Sequence, residues 1–246
     1  MRSSNPIFTN LEKTTFSNSA ETATKTGITI KTIILLLTTL VTGFFSVQIA
    51  TALPEPVLYA VLIGSGILAF IAVMLATFVP KTALVMSIVY ALLQGFVYGL
   101  ITWILESIFP GVAVTALLGT GTVFTVMFIL YNTGLLRGSA LLRSVVLGSL
   151  LTFIVGSLIL SVTSLVNPGF IESFYSFDLA VGISLFLIVI GALMLTLDFE
   201  RAENVVNMGL PKSAEWNVAL GFMITLIWIY YNILRLAVTI MARNNN

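Results

Sequence analysis

Four side chains in this chain could handle an ion or a proton inside a membrane: Gln94, Asp198, Asn232 and Arg235. Each stands within, or at the edge of, a long apolar run. Asp198 follows Asp178 by twenty residues, which as helix spans ~30 Å, the thickness of a hydrocarbon core. A carboxylate at that boundary either snorkels into water or faces a protein-lined or wet cavity. Placed at the end of a span, it also meets a helix dipole that disfavours negative charge. Asn232 and Arg235 are three apart and share one helix face. Gln94 lies thirteen residues past Lys81, near mid-membrane, where an amide must find partners. Bland readings stand beside these: interhelical hydrogen-bond glue for Gln94 and Asn232, snorkelling for Arg235, a loop edge for Asp198. Glu106 reads as a solvated rim acid, and Glu200, Arg201 and Glu203 as loop charge that continues the sixth span into water.

Other chemistry is scarce. The chain has no cysteine and no histidine, which removes thiolates and the commonest zinc ligand and neutral-pH base. It contains no G-x-S-x-G elbow, no H-E-x-x-H and no P-loop. No enzymatic activity is expected, and no cofactor. The net charge of +1 offers no basic face to nucleic acid.

The elements that must position these residues are membrane helices. The sequence is 58% hydrophobic and 9% charged, with mean hydropathy +1.09, against roughly 25% charged for soluble domains. Charges punctuate it into seven uncharged runs of 19 to 30 residues, the first between Lys31 and Glu55 and the last between Glu215 and Arg235. A helix needs ~20 apolar residues to cross, and lipid tolerates no unpaired backbone. The expected fold is therefore an all-α bundle of seven transmembrane helices. Pro54, Pro56, Pro80, Pro110-Gly111, Pro168-Gly169 and Gly209-Leu210-Pro211 separate the spans. Nine Lys and Arg fall on one side, and Arg235 and Arg243 on the other. The positive-inside rule then predicts an N-in, C-out chain, with residues 28–246 as the membrane domain and residues 1–27 as a polar cytosolic tail. That tail lacks the apolar core of a cleaved signal peptide.

Three segments carry a resemblance: "MRSSNPIF" at the start, "YALLQGFVYGLITWILESIFPGVAVTALLGT" in the third span, and "LDFERAENVVNMGLPKSAEWNVALGFMITLIWIYYNILRLA" at the end. Together they are similar to the bacterial branch of the Bax inhibitor-1 family. The resemblance implies six helices around a central seventh, and a passive, pH-sensitive calcium leak. It also implies, in one bacterial relative, contact with a membrane-bound AAA protease. In the leak-forming members two aspartates join the sixth and seventh helices. The first matches Asp198, while the second falls on Asn232. Relatives also tend to carry Glu where this chain has Gln94. Amide oxygens replace charge at both positions, so Asp198 is left as a weak calcium ligand.

Two functions follow as expectations. One is a cation leak, calcium above all, with Asp198, Asn232, Gln94 and Arg235 along its path. The other is a non-transporting regulator that acts on a second membrane protein. Either would be embedded in the inner, cytoplasmic membrane, with the bilayer itself as the constant partner.

Overall fold

The computed structural model describes residues 21–167 and 176–244. The tail over 1–20, the segment "MRSSNPIF" and the Pro168-Gly169 turn lie outside the described residues. Among those described, seven helices are long and apolar enough to cross a membrane. They are α1 Lys25–Thr51, α2 Glu55–Phe78, α3 Ala83–Ile108, α4 Val112–Asn132, α5 Ala140–Val166, α6 Phe177–Asn207 and α7 Ala214–Asn244. No described residue belongs to a strand, and one isolated bridge links Thr22 to Pro211.

Three helix starts are capped by hydroxyls. Thr24 accepts from Gly27 N at 2.9 Å, Ser139 from Leu142 N at 3.0 Å and Ser176 from Leu179 N at 3.3 Å, each satisfying an orphan amide. Glu106 caps the helix after its own: it accepts from Gly111 N at 2.7 Å and Ala113 N at 2.8 Å. It is thus a structural clamp on the α3–α4 turn rather than a free rim acid.

The exterior is apolar. Leu165 is 85% exposed and Phe44 73%, an arrangement that lipid satisfies and water does not. α7 is the most enclosed helix and packs against α6, α4, α1 and α3. One of its faces, through Val218, Phe222, Leu226 and Ile229, joins a cluster with α4 and α6. The opposite face, through Ala219, Leu220, Met223 and Ile227, joins a cluster with α1, α2 and α3. A helix apolar all round belongs at the centre of a bundle. α5 is held mainly by α6, and Val146 is its one buried residue among those described.

Small residues set the closest approach, that of α1 on α3. A methyl built on Gly95 would meet the Thr39 carbonyl oxygen at 2.5 Å, and one on Gly99 would overlap the Gly43 backbone. The Gly95/Gly99 face legible in the sequence is thus a real contact, and Gly43 is its partner.

Seven of the chain's Lys and Arg gather at one end of the bundle: at the start of α1, in the α2–α3, α4–α5 and α6–α7 turns, and in the adjoining parts of α5 and α6. This is the basic end. There the segment before α1 docks onto the α6–α7 turn. Ala23 N donates to Leu210 O at 2.8 Å and Lys212 N to Glu21 O at 2.9 Å. The Lys212 ammonium pairs with the Glu21 carboxylate, which raises the ammonium above its usual range.

Candidate functional site

α6 does not end at Asp198. No breaker intervenes before Gly209, whose φ of +61° stops the helix, so α6 runs on to Asn207. The expected dipole penalty on Asp198 therefore falls away, because that penalty is confined to the last turn. Asp198 instead faces α7. Its Oδ2 accepts the Thr225 hydroxyl at 2.6 Å, a short charge-assisted bond. Gly221, one turn before Thr225, leaves room: a methyl there would come to 3.5 Å of Asp198 Oδ1.

Asp198 lies on a cavity of about 410 Å³ at the basic end, between α5 and α6. Arg143, Arg201 and Asn204 share its lining. The carboxylate thus sits where this cavity meets the packed bundle, with two guanidinium groups in the same lining. Among the described residues no three acidic side chains come close enough to hold a metal ion. A lone carboxylate is a poor calcium cage.

Beyond Thr225 the α6–α7 contact is apolar: Leu195 and Ile229 have no exposure, and Leu226 and Ile190 are buried. Gly191 brings α6 so near α7 that an added methyl would come to 2.7 Å of the Ile229 side chain. On the far side of this plug is Asn232, 1% exposed. Its amide nitrogen donates to Trp228 O at 2.8 Å, and its Oδ1 is buried without a partner. Asn232 follows Thr225 by seven residues, ~10 Å along the axis. The structure therefore gives Asp198 to Thr225 and does not bring it to Asn232. Gln94 is half-buried, one turn past Tyr90 on its own helix. Arg235 is half-buried one turn past Asn232, and its carbonyl accepts the Thr239 hydroxyl. Of the neighbouring tyrosines, Tyr230 bonds Thr102 at 2.7 Å, while Tyr231 leans on Tyr98 and is partly open to lipid.

Two groups escaped the sequence reading. Thr225 could have been found: Asn217, Gly221 and Thr225 recur every four residues and so line one face of α7. Glu215 carries no such signal. It looks like loop charge, yet it is fully buried, bonded to Lys31 Nζ and to Thr24 N at 2.8 Å.

The profile of the family described as Bax inhibitor 1 like matches residues 5–242, nearly the whole chain. This protein belongs to that family. A comparison with curated proteins gives no match. The seven helices and the central α7 are the arrangement that the resemblance implies for the Bax inhibitor 1 like family.

Proposed function

We propose that this multi-pass membrane protein is a cation leak, with calcium as its foremost cargo, held here in its closed state. The observation that carries the reading is the Asp198–Thr225 bond at the floor of a vestibule, with an apolar plug directly behind it. With the basic end inside the cell, the vestibule opens to the cytosol and Asp198 fastens α6 to α7 at the inner mouth. An ionised Asp198 accepts a charge-assisted bond worth ~1.5–3 kcal/mol. Protonation removes that assistance. Opening is then favoured as pH falls.

Asp198→Asn should therefore raise calcium flux into proteoliposomes by about ten- to a hundredfold and flatten its rise at acid pH. Thr225→Val should raise the basal flux as well. A flux and pH profile unchanged by both substitutions would reduce Asp198 to a boundary residue.

The dry packing around α7 favours a second reading, a regulator that binds another membrane protein, such as a membrane-bound AAA protease. No calcium flux at any pH from wild type or Asp198→Asn would select it.

Orientation is testable separately, because the chain has no native cysteine. Single cysteines at Ser213, beside the basic end, and at Ala52, in the α1–α2 turn, should react with an impermeant maleimide from opposite faces of the membrane. Reaction of Ala52→Cys from the cytosolic face would invert the topology.

A further inference from the structure

α1 and α4 stand side by side without packing on each other. Between them runs a cleft of about 1140 Å³, floored by α3, α6 and α7. It extends from Lys25, Tyr131 and Glu203 at the basic end to Gln48 and Glu106 at the other. Lys25 to Gln48 spans 23 residues of helix, ~35 Å, the full depth of a bilayer. The walls between these ends are almost wholly apolar.

The contents of the cleft must match that shape and those ends. Extended hydrocarbon chains match those apolar walls. The basic end presents both signs of charge together. Glu203 Oε2 accepts the Tyr131 hydroxyl at 2.6 Å. Its Oε1 faces Lys25 Nζ at 3.8 Å, a long pair that leaves hydrogen-bonding capacity on both groups. A phosphate satisfies Lys25 and a primary ammonium satisfies Glu203. A quaternary ammonium has no N–H to give, and a purely anionic head would meet Glu203 as a like charge.

We propose that this cleft is a lateral binding site for one phospholipid of the phosphatidylethanolamine type. Its phosphate lies at Lys25, its ammonium at Glu203, and its chains along the basic half of the wall between α1 and α4, one leaflet deep. Neither Asp198 nor Thr225, the pair on which the proposed leak rests, lines it.

Native mass spectrometry of the full-length protein, delipidated and titrated in detergent with phosphatidylethanolamine, phosphatidylcholine or phosphatidylglycerol, tests this. One phosphatidylethanolamine should bind at concentrations where the other two do not. Lys25→Gln and Glu203→Gln should each weaken it by about three- to fivefold, the effect of an exposed ion pair. Gly121→Leu fills the cleft from a position where an added methyl has nothing within 4 Å, so the variant should fold and lose the lipid. Equal retention by wild type and Gly121→Leu would overturn the site. Equal binding of the three lipids would overturn the headgroup assignment, and a dimer disrupted by Gly121→Leu would replace lipid by a second copy.

Discussion

Replacing Glu215 by Ala should be among the most damaging single changes in the chain, at about 3–5 kcal/mol, the usual loss when one half of a buried ion pair is removed. The Glu215 carboxylate has no exposure to water and accepts from the Thr24 amide, the Thr24 hydroxyl and the Lys31 ammonium. Lys31 also donates to the Lys212 carbonyl at 3.2 Å and lies 5.3 Å from the Trp216 ring centre. Removing the carboxylate leaves a largely buried ammonium and an orphaned amide at the start of α1. It also opens space against Gly27, where the carboxylate leaves no room for a side chain. The docked segment 21–31 then loses its anchor on the α6–α7 turn. Thermal unfolding in detergent should show a large fall for Glu215→Ala and a smaller one for Glu215→Gln, which keeps an acceptor for Thr24. Lys31→Met paired with Glu215→Leu should cost less than the two single changes added together. A midpoint for Glu215→Ala within a degree of wild type would show that the pair does not hold this end together.

The second large effect is expected at Gly99. A leucine there should destabilise by more than the ~1–3 kcal/mol typical of extra methylenes in a packed core. The reason is what it meets. The obstacle is the Gly43 backbone, which has no rotamer to change, so α1 itself must move away from α3. Leu35 and the α2 alanines Ala69, Ala72 and Ala76 share a cluster with α3 and α7 and would lose contact with it. Gly64→Leu, on the same bundle but with nothing within 4 Å of the added carbon, is the control. Size-exclusion profiles and unfolding midpoints should separate the two variants clearly. Comparable behaviour of Gly99→Leu and Gly64→Leu would mean that the α1–α3 approach contributes little.

These two sites differ in how far they were legible from sequence. Gly95 and Gly99 announce a close contact because their four-residue spacing is a property of one helix. The number of spans and the ends of most of them are legible for the same reason. Each rests on a local quantity, the apolar length between charges and the turn residues beside them. The central place of α7 is visible too, since a span with Tyr230, Tyr231 and Asn232 is costly against lipid, although Tyr231 itself lies at the surface. What one helix cannot show is its rotation about its own axis relative to its neighbours. Asp198 was legible as a polar residue near a boundary, but its bond to Thr225 rather than Asn232 depends on how far α6 runs and at what height it crosses α7. Glu215 shows the limit most plainly. In the sequence it is one charge in a charged turn. Its burial depends on Lys31, 184 residues away, and on a segment before α1 that folds back over the same turn. Hydropathy sums over neighbours in the chain and therefore determined that this protein spans a membrane and where each helix lies. Which charges are buried, and against what, is a sum over neighbours in space, and only the tertiary structure decided it.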